Sequence, residues 1–190
     1  MIVRRAQSSD LPFISRLTLQ TCDQSIPEGR DIPNDVVRAR AGQQLESELE
    51  DMLRRKREVA VLVATESDEP VGFLILELNL VEETTGERQT HIYNMAVRSD
   101  FLGKRVDRAL VKEAAQITHR RGCRYMTGRI TASNERALQA ALRQGFEIER
   151  HQVVMACGPE GPTRMPGRPE HERGHRSSRL QRKRRALETD

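Results

Sequence analysis

The spacing of apolar residues changes several times along the chain, and each change marks an element. "MIVRRA" opens as a short strand. In "SSDLPFISRLTLQTC", Leu11, Ile14 and Leu17 recur at helical spacing behind Ser9 or Asp10 as the N-cap. A second helix is predicted over "IPNDVVRARAGQQLESELEDMLRRK", polar but for a sparse stripe of Val37, Leu45, Leu49 and Leu53. "VAVLVATE" is a continuous valine-rich run, the mark of a buried strand. After the turn "ESDEP" come two strands, "VGFLILELNLVE" and "THIYNMAV". They are joined by "EETTGERQ", where Gly86 suits a hairpin turn.

A helix over "VDRALVKEAAQITHRR" carries Val106, Ala109, Leu110, Ala114 and Ile117 on one face and stops at Gly122. "YMTGRIT" is a strand. "SNERALQAALRQG" is a helix with Ala137, Leu138, Ala141 and Leu142 inward, ending at Gly145. "FEIERHQVVMA" is expected as one long strand or two short ones. The order β, α, α, β, β, β, α, β, α, β predicts an α/β fold. It is a single-domain, mixed, mostly antiparallel sheet with helices on both faces, and the strand–helix–strand unit over 90–131 makes one parallel pair.

Composition divides the chain in two. At 36% hydrophobic and 32% charged, the 190 residues are too polar to be packed throughout. The polar excess lies at the end. From Gly158 onward there are nine Lys or Arg and five Asp or Glu, which leaves 23 of each sign in residues 1–157. The expected organisation is a neutral folded domain, 1–157, and a disordered, basic Gly/Pro/Arg-rich tail, 158–190. Nucleic acid is a candidate partner only through that tail, whose "RLQRKRR" has no interleaved aromatic residue to stack on bases.

No run approaches the roughly eighteen apolar residues of a membrane-crossing helix, and "MIVRRAQSSDLPF" lacks a signal-peptide core. Cys22, Cys123 and Cys157 fit neither a zinc site nor a disulfide framework. The expectation is a cytoplasmic protein with buried reduced thiols, no metal and no membrane partner.

Four stretches resemble the GNAT superfamily of N-acetyltransferases, and the likeness extends over residues 2–157. "NMAVRSDFLGKRVDRAL" is similar to the family's acetyl-CoA motif, a strand ending in hydrophobic-Ala-Val, a loop of the form R/Q-x-x-G-x-G/A, and a helix. "NERALQAALRQGFE" resembles the later helix, with Asn134, Ala137, Gly145 and Phe146 all on the pattern. "IVRRAQSSDLPFISRL" looks like the opening strand and helix, and "VATESDEPVGFLIL", a strand, acidic turn and second strand with Val-Gly-Phe, is also typical of the family.

The resemblance implies acetyl-CoA as co-substrate. Its pantetheine arm would pair with the strand at Met95, Ala96 and Val97. Its pyrophosphate would rest on the loop of Leu102, Gly103, Lys104, Arg105, Val106 and Asp107, where unpaired N–H groups open a helix. Asn134 would contact the CoA arm as well as cap its own helix.

The loop departs from the pattern. Leu102 stands where Arg or Gln is usual, Arg105 replaces the second glycine, and Asp107 the final Gly or Ala. Asp107 repels a pyrophosphate unless Arg105 neutralises it, while the Arg105 guanidinium is itself suited to phosphate.

Acetyl transfer to a primary amine of a small molecule or protein needs a base for the amine and an acid for the leaving thiolate. The family's tyrosine acid falls at Ala141, and Tyr93 stands where a strand glutamate is common. Glu77 and Tyr93 are therefore the candidate catalytic residues, with Glu77 expected opposite Tyr93 across the hairpin. Burial of Glu77 among Phe73, Ile75 and Asn79 would raise its pKa, and a solvated Glu77 is the alternative. His91 and Tyr125 are further candidates. Glu82, Glu83 and Glu87 are either an attraction for a cationic amine or a solvated turn. Two functions follow: an N-acetyltransferase, or a catalytically impaired member of the fold that binds a ligand or partner and regulates.

Overall fold

The computed structural model describes residues 1–27, 30, 32–42 and 58–163. The chain divides into two compact units, Met1–Pro27 with Ile32–Ile148, and Glu28–Asp31 with Glu149–Asp190. The first unit holds a five-stranded sheet in the order β1-β2-β3-β4-β5, which follows the sequence. The strands are β1 (Ile2–Arg5), β2 (Val59–Glu66), β3 (Glu69–Val81), β4 (Arg88–Val97) and β5 (Tyr125–Gly128). All neighbours are antiparallel except β4 and β5. The helices are α1 (Leu11–Thr21), a helical stretch over 34–42 (α2), α3 (Val106–Arg120) and α4 (Glu135–Arg143).

The continuous apolar runs of β2 and β3 supply two cores. Ala60, Leu62, Ala64, Val71, Leu74, Leu76 and Leu78 face α3, which inserts Val106, Leu110, Val111, Ala114 and Ile117. Val61, Val63, Phe73, Ile75 and Ala96 face α1, which inserts Ile14 and Leu17. A strand buried on both sides cannot alternate polar and apolar residues, which is why "VAVLVA" reads as one block. Inside the α3 face, Thr90 and Thr118 satisfy each other at 2.7 Å.

Several expectations are corrected. Asp10 is the N-cap position of α1, as expected, but its carboxylate makes no cap bond to that helix and closes the 3-10 turn over Ser8–Asp10 instead: it accepts the Gln7 N–H at 2.7 Å and a two-pronged contact from Arg4. That Arg4 pair is the main reason the Asp10 carboxyl is held below its usual range. Glu82 is a turn-forming residue and is buried, because its carboxylate accepts the N–H groups of Thr84 and Thr85 at 2.9 and 2.6 Å. Glu87 lies 3.8 Å from Arg124.

In α4 no residue is fully buried: Ala137, Leu138 and Ala141 are half-covered and Leu142 is exposed. The strand expected over 146–156 does not form. Apolar alternation stops at Ile148, and Val153, Val154 and Met155 follow consecutively on no single face, all exposed. In the second unit a two-stranded hairpin, β6 (Ala156–Gly158) and β7 (Gly161–Thr163), crosses the expected boundary at 157. Cys22 and Cys123 are buried thiols, but Cys157 is exposed. Leu45, Leu49, Leu53 and the basic tail from Arg164 onward lie outside the described residues.

Candidate functional site

β4 and β5 pair only over Gln89–Ile92 and Tyr125–Gly128. Beyond Ile92 the two strands share no further pairing, so one edge of β4 is open from Tyr93 to Val97. Which groups occupy that edge follows from the antiparallel ladder on the other side. Arg98 N–H donates to Val71 O at 2.9 Å, and ladder bonds alternate, so residues 96 and 94 also turn toward β3. Met95 and Val97 therefore direct their N–H and C=O groups to the open edge. Ala96 is buried against the α1 core instead.

The register also contains a bulge. Ile75 pairs with Asn94 and Leu76 with Ile92, leaving Tyr93 as the extra residue. Glu77 accordingly stands opposite His91 rather than Tyr93. Tyr93 is exposed at 36%, and Glu77 is half-buried rather than enclosed.

The turn from β4 into α3 is tied by Arg98, which bonds Asp100 at 2.6 Å and approaches Glu69 at 3.4 Å. Phe101 lies between two cations, Arg98 at 5.0 Å and Lys104 at 4.2 Å from its ring centre. Gly103 has φ +82° and Arg105 φ +64°. Arg105 thus takes the left-handed conformation that favours glycine. Its side chain is exposed.

Left-handed backbone costs a residue with a Cβ about 1–2 kcal/mol. Arg105→Gly is expected to raise stability by about 0.5–1 kcal/mol after the added freedom of the unfolded chain is counted. Thermal or urea unfolding checks this; a loss of stability would show that the guanidinium contributes more than the strain removes.

At the start of α3 no side chain caps the helix, and the N–H groups of Val106, Asp107 and Arg108 have no partner among the described residues. They form a cluster of unpaired donors beside the open edge of β4, an arrangement whose chemistry suits an anion (the anion cradle). The Val106 side chain is buried in the core, so only its backbone belongs to the cradle. Leu102, Lys104 and Arg105 are exposed around it. No ion pair joins Arg105 to Asp107 among the described residues. Asp107 instead accepts a hydrogen bond from Gln144 Nε2 of the later helix end at 3.0 Å. The carboxylate is held by a neutral amide, so its charge is not cancelled. The buried Gln144 Oε1 has no partner.

Asn134 caps α4 through Oδ1, which accepts the Ala137 N–H at 3.1 Å. Gly145, φ +94°, ends the helix, with Phe146 N–H returning to Ala141 O at 3.2 Å. On the α1 side of the sheet, Asn94 Nδ2 reaches Thr18 Oγ1 at 3.5 Å, and Thr131 Oγ1 donates to Ser25 O at 3.1 Å. The end of α1 and the β5–α4 loop therefore meet over the place where β4 and β5 part. Tyr125 is exposed beneath the Arg124 guanidinium, 5.4 Å from its ring centre. Among the described residues no three His, Cys, Asp or Glu side chains gather as a metal site, and no helix is long and apolar enough to cross a membrane.

The sequence reading placed the open strand, the loop and Asn134 together. It missed the Gln144–Asp107 contact, which joins residues 37 apart and has no local pattern.

Comparison with known proteins gives the same frame. The model of the acetyltransferase (GNAT) family matches residues 27–146. An uncharacterized N-acetyltransferase of Methanocaldococcus jannaschii is 26% identical over 95 residues, 50% of this chain and 42% of that protein. The match thus spans less than half of that relative's length. A transcriptional regulator from Bacillus halodurans C-125 superposes with a TM-score of 0.64 at 17% identity, over 82% of this chain and 98% of its own. The aminoglycoside N-acetyltransferase AAC(6')-Iy, solved with a bisubstrate analogue of CoA and acetylneamine, superposes with a TM-score of 0.57 at 17% identity, over 83% and 97%. At such identities the two structures establish the shared fold alone.

Proposed function

The chain belongs to the acetyltransferase (GNAT) family, and we propose that it transfers the acetyl group of acetyl-CoA to a primary amine, of a small molecule or a protein, by direct attack. One observation carries this reading: the open β4 edge at Met95 and Val97 ends beside the uncapped N–H groups of α3. An arm with amide groups and a pyrophosphate at its far end fits that geometry. The amides pair along the strand and the phosphates take the helix N–H groups, with Lys104 and Arg105 at hand for their charge. Acetyl-CoA supplies an activated acyl carbon, and the chain's part is to hold it, orient it and move protons. In this reading the Tyr93 hydroxyl, at the bulge, is the acid for the departing thiolate, and Asn134 supports the arm from α4. The domain is proposed as residues 1–157, in the cytoplasm, with the basic tail appended.

Asp107 sets the affinity. A carboxylate about 7 Å from a doubly charged pyrophosphate costs on the order of 1 kcal/mol at a protein surface. Asp107→Asn keeps an acceptor for Gln144 and removes the charge. Calorimetric titration with acetyl-CoA is expected to show about threefold to tenfold tighter binding in the variant, with the gain shrinking in high salt. Wild-type protein that shows no binding at millimolar acetyl-CoA would refute the acetyltransferase reading. Ala141, in place of a tyrosine acid, favours the second reading, an impaired relative that binds and regulates; binding without turnover on any amine is its signature.

A further inference from the structure

The sheet face covered by α1 carries a row of polar side chains across three strands. Glu77 of β3 pairs in register with His91 of β4, and His91 with Thr127 of β5. Residues paired in this way share a face. The apolar cluster under α1 ends at Val59, Ile75 and Ala96, and the row begins where it stops. The opposite face at this level is filled by α3 against Leu76, Leu78, Ile92 and Met126. An acceptor approaching the bulge therefore meets the sheet on the side of His91.

The hydrogen bonds of the row favour one position for its proton. His91 Nδ1 lies 2.9 Å from Thr127 Oγ1. The Thr127 hydroxyl has a single hydrogen and gives it to the carbonyl oxygen of Thr90 at 3.3 Å. Toward the imidazole it can then only accept, so Nδ1 carries the ring proton. Nε2 is left with its lone pair and has no hydrogen-bond partner among the described residues.

We propose that His91 is the catalytic base for the acceptor amine, held in its Nδ1-protonated form by Thr127, an inference that rests on the acetyltransferase reading above. The amine nitrogen attacks the thioester carbonyl carbon, forming the C–N bond. The C–S bond breaks and its electron pair leaves on sulfur. The proton lost by the nitrogen goes to His91 Nε2 and from there to solvent. The thiolate takes a proton from Tyr93, which is refilled from solvent, so one amide and one thiol replace one amine and one thioester. Thr127 and Glu77 are positioning residues. Thr127 sets the tautomer, and Glu77 faces the imidazolium as it forms.

The surroundings agree with that role. Burial, and then the charge of Arg129 after β5, hold the His91 imidazole below its ordinary pKa, while Glu77 on β3 pulls the other way. Burial and Arg129 outweigh Glu77, so His91 is neutral at pH 7 and ready to accept a proton. Glu77 tempers the shift and keeps the base from becoming too weak.

Two measurements on the full chain test this. The first is nitrogen-15 NMR of the histidine rings, with the His91 signals assigned from the spectrum of His91→Gln. The expected result is the Nδ1-protonated tautomer titrating below the usual histidine value, and loss of that tautomer preference in Thr127→Val with recovery in Thr127→Ser. An Nε2-protonated ring in the wild type would overturn the proposal whatever the kinetics.

The second is release of CoA thiol from saturating acetyl-CoA, with 2-phenylethylamine or water as acceptor, across pH 5–9. His91→Gln is expected to lower kcat about 100-fold or more and to abolish the rise of rate with pH on the acid side, with acetyl-CoA binding unchanged by calorimetry. Glu77→Gln is expected to lower kcat only a few-fold and to move the acid-side midpoint to lower pH. A His91→Gln rate within twofold of wild type, in protein that binds acetyl-CoA normally, sinks the assignment. So does a Glu77→Gln loss as large as that of His91→Gln with the acid-side rise retained in His91→Gln. Wild-type protein that fails to bind acetyl-CoA instead removes the acetyltransferase reading, and this inference with it.

Discussion

Gly72→Val is expected to destabilise the fold by about 3 kcal/mol and to abolish measurable acetyl-CoA binding. Gly72 sits on β3 opposite Val97, where α3 begins to cross the sheet. A Cβ there would meet Val106 Cγ1 at 3.0 Å, Ala96 O at 3.1 Å and Val97 Cγ2 at 3.4 Å. Two of these neighbours cannot swing away: Ala96 O is backbone, and Val106 is 1% exposed in the core. Overpacking of this kind costs about 1–3 kcal/mol for small additions, and the branched valine adds two further methyl groups.

The functional loss comes from where the strain is released. Val106 is the first residue of α3, and its N–H is part of the anion cradle. Pushing it outward moves these N–H groups away from the open edge of β4, so the two parts of the proposed acetyl-CoA site no longer lie at one span. Gly72→Ala is expected to show the same effects at about half the size. Urea unfolding and calorimetry check both quantities, and normal acetyl-CoA affinity in folded Gly72→Val would refute this account of how the loop is placed.

The fold was legible because it is carried by patterns that local sequence reports. The valine-rich β2, the glycine ending α3 and the helical stripe Val106–Leu110–Ala114–Ile117 each state one preference without a competing one. The site was legible only in part. The loop's position followed from the strand–turn–helix order, but arginine in place of glycine marked only a departure from the pattern. In the structure Arg105 adopts a left-handed conformation at the cost of strain, and residue type alone cannot report that.

Register was the other limit. A bulge at Tyr93 displaces the pairs Leu76–Ile92 and Glu77–His91 by one residue before a second irregularity restores the register at Leu80–Gln89, and it is His91, not Tyr93, that stands beside Glu77. Bulges depend on how two strands meet, so the position of a candidate base within a strand was readable while its partner was not. Glu82 shows the same asymmetry in reverse. An acid in a charged turn reads as solvated, yet two backbone N–H groups draw it inward.

Leu110→Ala is expected to lower stability by about 3–4 kcal/mol while leaving the acetyl-CoA affinity of the folded protein within about twofold of wild type. Leu110 is fully buried one turn into α3, in the cluster formed with β2 and β3. Removing its branch deletes transfer free energy and leaves a cavity that the rigid sheet beneath cannot close, the circumstance in which such changes cost the most. For a domain of this size about 3 kcal/mol corresponds to a fall in Tm of roughly 6–12 °C. The anion cradle is anchored one turn earlier, by Val106 against Gly72 and the end of β4, so it keeps its place. Saturating acetyl-CoA should then raise the Tm of Leu110→Ala by about as much as it raises that of the wild type, because the linkage depends on affinity and not on the starting stability. Gly72→Val should gain nothing from the same ligand. A Leu110→Ala variant that loses ligand stabilisation in proportion to its lost stability would mean that the cradle is positioned by the whole helix rather than by its first turn, and the separate role assigned to Gly72 would fall.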